Sequence, residues 1–456
     1  MLTKEYITEI KKNNNCIKNL INSYTDINSL TFILENLGHL PKNFDGSFLF
    51  DLLKHKNSNI KILAIKNIGK TSNIKYLDLL QNILIIEKDT NVKREIVSSI
   101  GRMRSIPGQK ILINLLNHDD PKVLCQAIRG LLVFKGNNNI DENLKPLINH
   151  SNEMVRTIIY KEYFVKKNLV TSQAHNESYD YLKNVVLNAD TVEAMNLIKE
   201  ESIHLTFTSP PYYNARDYSI YPSYQNYLDF LTKVFKEVHR ITKEGRFLII
   251  NTSPIIIPRV SRMHSSKRYP IPFDIHPYLM QMGWEFIDDI IWLKPEASVK
   301  NRIGGFMQHR KPLGYKPNSI TEYLMVYRKN TDKLLDWNMR QYDERTVSES
   351  KVVNEYEKTN VWKIDPCFDK VHSAVFPAEL CKRVIQYYSY KGDLIFDPFA
   401  GSGTVGKTAK KLGRNFLLTE QDKKYFDYMA AKQNSDMLDT LVTKFLSLEQ
   451  FKNTII

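Results

Sequence analysis

Residues 203–212, Ile203-His204-Leu205-Thr206-Phe207-Thr208-Ser209-Pro210-Pro211-Tyr212, carry an apolar stretch straight into two prolines and a tyrosine. The run from Ile203 to Phe207 reads as a buried strand, and the prolines stop it. The same design returns nearly two hundred residues later. There Leu394-Ile395-Phe396 leads into Asp397-Pro398-Phe399-Ala400-Gly401-Ser402-Gly403-Thr404. Each apolar strand therefore ends in a loop of special composition.

Outward from these loops the pattern alternates. Val185-Val186-Leu187 reads as a short strand ending at Asp190, with a helix from Thr191 to Lys199 behind it. Tyr227 to Thr242 reads as a helix stopped near Gly245, and Arg246 to Asn251 as the next strand. Strands alternating with helices predict an α/β fold with a mostly parallel sheet. Ligands of such sheets sit at the carboxyl ends of strands, where both loops lie.

Gly401-x-Gly403-x-x-Gly406 stands between a strand and a helix, where glycines allow a tight turn and close approach of backbone to a ligand. The strand Phe416-Leu417-Leu418 ends near Glu420, placed to accept hydrogen bonds from a ribose diol. This loop can cradle a nucleotide-like cofactor. Residues Gly401 to Thr408 also satisfy the Walker A pattern, so a P-loop ATPase is a competing reading. It leaves the Ser-Pro-Pro-Tyr loop and Glu420 unexplained.

The Ser209-Pro210-Pro211-Tyr212 loop suits a flat base that bears an amine. An exocyclic amine is a poor nucleophile because its lone pair is delocalised into the ring. Acceptors on its hydrogens favour pyramidalisation and stabilise the positive charge of an arriving methyl group. The Ser209 hydroxyl and the Pro210 carbonyl supply two acceptors, Pro211 stiffens the loop, and Tyr212 can stack on an extracted base.

Together, in this order, the two motifs resemble the DNA amino-methyltransferases of restriction–modification systems, in the circularly permuted class whose catalytic motif precedes the cofactor motif. The resemblance covers roughly residues 181–430. It implies a Rossmann-like core that binds S-adenosyl-L-methionine in the Asp-Pro-Phe-x-Gly-x-Gly loop, through Asp397, Phe399, Gly401, Gly403 and Thr404, with Glu420 beyond. Thr208 belongs to the same implied set, as does Asp190, toward the cofactor adenine, though an Asp at that place also caps helices. The segment His372-Ser373-Ala374-Val375-Phe376-Pro377 resembles the one that closes over the methionine end, which implicates His372, Phe376 and Pro377. Ser at the first position accompanies cytosine N4 methylation in that family. Asp or Asn there accompanies adenine N6 methylation, which stays the alternative. Methylation at cytosine C5 needs a cysteine nucleophile, and Cys367 stands outside any such motif.

The formal net charge of +14 favours a polyanionic partner, here double-stranded DNA. Basic residues crowd two stretches, with Arg259, Arg262, Lys267 and Arg268 in 254–270 and Arg302, Arg310 and Lys311 in 295–318. Both suit phosphate contact. Lys294 begins this second basic cluster, and Glu322 to Lys329 resembles a late strand of the family core. Residues 330–361 are polar and stand where the family often carries its target-recognition insert.

The first 170 residues differ. Ile60, Val92, Val123 and Val155 are equivalent positions of a repeat with a period of about 32 residues. Such a period, with helix-like apolar spacing, indicates stacked helical hairpins that resemble HEAT-type repeats. His55, His118 and His150 recur at one position, read as a helix-end or turn position rather than a metal site. The expected division is 1–170, helical repeats that bind DNA or a partner, and 171–456, the methyltransferase domain. A cognate restriction endonuclease is implied as partner by analogy only. No apolar run reaches the ~18 residues that span a membrane. The four cysteines, Cys16, Cys125, Cys367 and Cys381, lack metal-ligand spacing, and a reducing cytoplasm fits them.

Overall fold

The computed structural model describes residues 2–40, 44–164, 174–214, 221–257, 261, 263, 266–299, 312–313, 317–354, 356–367, 376–434 and 442–455. Two compact units divide the chain, Met1–Lys167 and Asn168–Ile456.

The first unit is helical: α1 (Lys4–Ile10), α2 (Asn14–Ser23), α3 (Ile27–Asn36), α4 (Ser58–Lys70), α5 (Leu77–Ile86), α6 (Thr90–Arg102), α7 (Ile106–Asn114), α8 (Pro121–Leu132), α9 (Asn138–Leu144) and α10 (Glu153–Ile159). The repeat appears in α4, α6, α8 and α10. Asn57, Asp89, Asp120 and Asn152 cap their amino ends with side-chain oxygens, and Ile60, Val92, Val123 and Val155 are fully buried three residues on. His55, His118 and His150 lock the preceding turn. Each Nδ1 accepts the backbone N–H two residues later, at 3.1, 3.0 and 3.0 Å. In the remaining repeat Glu87 does the same work with a carboxylate, accepting from Asp89 N–H at 2.9 Å. Adjacent repeats pack closely because small residues face each other. A Cβ on Gly69 would lie 2.5 Å from Ser99 Oγ, and one on Gly101 would lie 3.0 Å from Gly130 Cα. Ser99 also donates to Ile65 O at 3.1 Å, one repeat earlier.

The second unit contains strands β1 (Val185–Asn188), β2 (Ile203–Thr208), β3 (Thr242–Thr252), β4 (Ile255–Ile257), β5 (Lys267–Tyr269), β6 (Trp284–Leu293), β7 (Thr321–Lys329), β8 (Val361–Lys363), β9 (Leu394–Asp397), β10 (Asn415–Glu420) and β11 (Lys444–Ser447). Its helices are α11 (Thr191–Asn196), α12 (Tyr224–Ile241), α13 (Ile271–Gln281), α14 (Leu335–Met339), α15 (Glu344–Glu349), α16 (Ala378–Tyr388), α17 (Thr404–Lys411), α18 (Lys423–Asn434) and α19 (Leu448–Ile455). Among the described residues nine strands form one sheet in the order β11-β1-β10-β9-β2-β3-β7-β6-β8, and β4 and β5 form a separate ribbon. Of these nine, only β7 runs against its neighbours.

Period-two alternation sends side chains to two cores. Leu248 and Ile250 of β3, Leu394 and Phe396 of β9 and Leu417 of β10 join α11, α12 and α13 on one face. Leu205 and Phe207 of β2, Ile249, Ile395, Phe416 and Leu418 join α16 and α17 on the other. Helices on both faces keep the inner strands apolar throughout, which is why they read as continuous runs in the sequence.

Residues 330–361, polar in sequence, are largely built into the fold. They form α14, α15 and β8, and they are tied to the sheet edge opposite the strand ends that carry the two motifs. Tyr342 OH donates to Asp393 Oδ1 at 2.6 Å, just before β9, and accepts from Arg246 at 3.0 Å, early in β3. Asn338 Oδ1 accepts from Arg328 at 3.0 Å, near the end of antiparallel β7. The polar letters of this stretch satisfy buried charges. Asp393, fully buried, is ion-paired with Arg246. Burial pushes its carboxyl up, but the Arg246 guanidinium and the Tyr342 hydroxyl outweigh this and hold it below the usual range. His204 completes the network as a neutral ring. Its Nδ1 accepts Leu394 N–H at 3.0 Å, its Nε2 donates to His175 O at 2.9 Å, and burial lowers its pKa to about 3.

Candidate active site

Strands β2 and β9 are parallel neighbours, with Leu205 opposite Ile395 and Thr206 opposite Phe396. Their carboxyl ends therefore bring the two motifs side by side, although they are far apart in the chain. One hydrogen bond joins them directly, from Thr208 Oγ1 to Asp397 Oδ1 at 2.7 Å, both groups buried. Thr208 thus acts on the site through Asp397. The same Asp397 oxygen accepts Phe399 N–H at 3.0 Å, which shapes the turn. Burial drives the Asp397 pKa up to about 7, against the opposing pull of those two donors.

The glycine loop curls between β9 and α17. Gly401 and Gly403 have φ of +51° and +77°, a region costly for residues with a side chain. Glu420, at the end of β10, accepts Gly401 N–H at 2.8 Å through Oε2 and Asp422 N–H at 2.8 Å through Oε1. It pins the loop and stands half-buried beside it, with burial raising its pKa. The close approach expected at Gly403 is to the protein itself. A Cβ there would lie 2.7 Å from Met429 Sδ of α18, and one on Gly406 would lie 2.8 Å from Leu418 Cδ1. Thr404 opens α17, its hydroxyl 3.2 Å from Ser402 Oγ. Asp190 caps α11, its Oδ1 accepting from Val192 and Glu193 at 2.9 and 3.1 Å, and it follows β1, which pairs with β10. Phe376 stacks on Phe207 with ring centroids 4.7 Å apart, and Pro377 is buried at the start of α16. Position His372 lies outside the described residues.

On the other flank of the loop, Ser209 is half-buried, Pro210 is buried, and Pro211 and Tyr212 are half-buried. Antiparallel β7 begins at this same edge, so its second residue, Glu322, faces the loop. Tyr212 OH donates to Glu322 Oε2 at 3.5 Å, and Glu322 Oε1 is ion-paired with Lys294 at the end of β6. Sequence reasoning placed Lys294 among the basic residues of a DNA-facing stretch and gave Glu322 no role. Both partners lie too far from residue 212 in the chain for spacing to reveal the contact.

Within the basic stretch 254–270, Ile255–Ile257 and Lys267–Tyr269 form the ribbon β4–β5. It pairs Ile255 with Tyr269 and Ile257 with Lys267. Lys267 and Arg268 are exposed on it. Tyr269 anchors it beside the Ser-Pro-Pro-Tyr loop, with ring centroids 4.9 Å from Tyr213 and 4.5 Å from Tyr224. Arg259, Arg262, Arg302, Arg310 and Lys311 lie outside the described residues. Among the described residues, no group of His, Cys, Asp and Glu could hold a metal ion, and no helix is long and apolar enough to cross a membrane.

A sequence model of DNA methylases of the N6/N4 type matches residues 203–432, from the start of β2 into α18, and so takes in both loops. The chain belongs to the N6/N4 DNA methylase family. Membership accounts for the Ser-Pro-Pro-Tyr loop and the glycine loop together, and it sets the P-loop reading aside. This methylase is 30% identical over 244 residues to the orphan methyltransferase M.BamHII of Bacillus amyloliquefaciens, covering 50% of this chain and 86% of that one. It is 26% identical over 273 residues to the type II beta methyltransferase M.BslI of Bacillus sp. (strain NEB-606), covering 58% of this chain. The chain spans only 28% of M.BslI, and 35% of the type II methyltransferase M.MwoI of Methanothermobacter wolfeii. Among solved structures it is similar to the putative DNA modification methylase TTHA0409 of Thermus thermophilus, complexed with S-adenosyl-L-methionine. That likeness has 24% identity and a TM-score of 0.48 over 58% of this methylase and 98% of that chain.

Proposed function

We propose that this methylase transfers the methyl group of S-adenosyl-L-methionine to the exocyclic N4 of cytosine in double-stranded DNA, within a restriction–modification system of the cytoplasm. The observation that supports it most is the Ser209-Pro210 loop standing beside the Asp397 loop on neighbouring parallel strands.

The residues fit the cofactor. The Gly401 turn leaves a concave backbone, Glu420 offers its remaining lone pairs to a diol, and Asp397 is a buried acid suited to a cationic ligand. When bound, the cofactor supplies a methyl group on a positively charged sulfur. Ser209 and the Pro210 carbonyl accept the two hydrogens of the target amine and free its lone pair for the methyl carbon. Tyr212 lies under the base, and the surplus amine proton leaves to water. Lys267 and Arg268 on the ribbon, with Arg259, Arg262, Arg302, Arg310 and Lys311, meet DNA phosphates. In this reading the catalytic loop precedes the cofactor loop as in the permuted class, and the helical unit is a HEAT-like stack that adds DNA or partner contacts.

The test is digestion of DNA modified by the purified protein, with the product nucleoside identified by mass. N4-methylcytosine is the expected product. N6-methyladenine would select the other amine of the family, and unmodified DNA would end the reading. Survival of that DNA against nucleases of the source cell would address a cognate endonuclease.

A further inference from the structure

We propose that Glu322, itself held by Lys294, is a positioning residue that orients Tyr212 and enriches its ring for the extracted base. The inference rests on the reading above, in which Tyr212 stacks on that base.

Four side chains carry it. Trp292 on β6 is buried, and its Nε1–H donates to Ile364 O at 2.8 Å, so its ring is fixed. Lys294 Nζ stands 4.3 Å from that ring centroid, a cation over an aromatic face. The same ammonium is ion-paired with Glu322, and the two side chains keep only 18% and 17% exposure. The other Glu322 oxygen accepts the phenol O–H of Tyr212 at 3.5 Å. A rigid indole thus fixes a cation, the cation fixes a carboxylate, and the carboxylate sets the azimuth of the tyrosine.

The arrangement costs desolvation of two charges, which stability alone does not reward. It makes sense for a reaction that builds positive charge on a stacked base. A phenol that donates to a carboxylate has an electron-rich face, and such a face attracts cationic character. Lys294 pairs with that carboxylate from the side away from Tyr212, while its own charge is directed to Glu322 and Trp292. The contribution grows as the methyl arrives, so it belongs to turnover more than to binding. The cofactor loop follows β9, which β2 and β3 separate from β7, so cofactor affinity should not change.

The experiment is a double-mutant cycle on the duplex site that the wild type modifies. Glu322→Ala, Tyr212→Phe and the pair are compared for kcat, KM and cofactor affinity. Each single change should lower kcat by about tenfold, the effect of losing one hydrogen bond to a charged group, with KM and cofactor affinity within about twofold. The pair should be no slower than the slower single variant, since both changes break one interaction. Losses that multiply, or full kcat in Glu322→Ala, would overturn the proposal. If Glu322→Ala fails to fold, Glu322→Gln replaces it in the cycle with the same criterion of coupling. An active wild type with uncoupled losses refutes this inference alone, whereas an inactive wild type refutes the methyltransferase reading.

Discussion

Asp397 combines two features that are usually separate, a place in the proposed cofactor loop and a pKa pushed up to about 7 by burial. Near neutrality it is divided between protonated and charged forms, and a cationic ligand favours the charged one. Cofactor binding should therefore release a proton at pH 7, and affinity should weaken as the pH falls below 7. Calorimetry in buffers of different ionisation enthalpy checks the proton, and titrations from pH 6 to 8 check the trend; flat affinity across that range would contradict the assignment. Ser209 is simpler. Ser209→Ala removes one acceptor but leaves the Pro210 carbonyl, so single-turnover methyl transfer should slow by about a hundredfold, the low end for one preorganised contact. Cofactor affinity of that variant should stay unchanged. Both residues were legible in the sequence because their chemistry sits in contiguous motifs. Glu322 was not, because its partner Tyr212 is 110 positions away and the contact exists only after β7 pairs with β3.

Among the elements, the alternation of strands and helices was readable, because inner strands covered on both faces leave long apolar runs. Helix ends were less so; α11 stops at Asn196, short of the expected Lys199. The polar stretch after β7 is more ordered than its letters suggest, for a physical reason. Hydrophilic letters look solvated or DNA-facing in a sequence, yet here Tyr342 serves the buried Arg246–Asp393 pair and Asn338 serves Arg328. That edge of the sheet should be sensitive to losing one partner. Arg246→Met would leave Asp393 buried without its guanidinium and should cost roughly 3–5 kcal/mol of stability. Urea unfolding of the variant measures it, and a shift in midpoint equivalent to less than about 1 kcal/mol would show that water or relaxation replaces the pair.

For the molecule as a whole, the period of the helical unit was visible because each repeat reuses the same buried and capping positions. What the repeats touch is not encoded in that period, since equivalent residues maintain the stack itself. A chain beginning at residue 168 keeps His175 and its bonds to the sheet-edge network, so it should retain cofactor affinity. If the repeats add phosphate contacts, this shorter chain should bind duplex more weakly and with a shallower dependence on salt. Filter binding across a salt series checks both quantities. Equal slopes would assign the repeats to a protein partner.

The hydrogen bond from Thr208 to Asp397 has a thermodynamic corollary. It ties the strand that leads into the proposed base loop to the turn of the proposed cofactor loop, so a coupling between the two ligands would run through it, and linkage would make that effect reciprocal. Whatever factor the cofactor adds to duplex affinity, the duplex must add to cofactor affinity. Thr208→Val keeps the side chain's shape and deletes the tie, so both factors should fall toward one together, as parallel titrations with and without the second ligand would reveal. A coupling of positive sign through this bond would disfavour half-assembled complexes, each ligand lengthening the residence of the other.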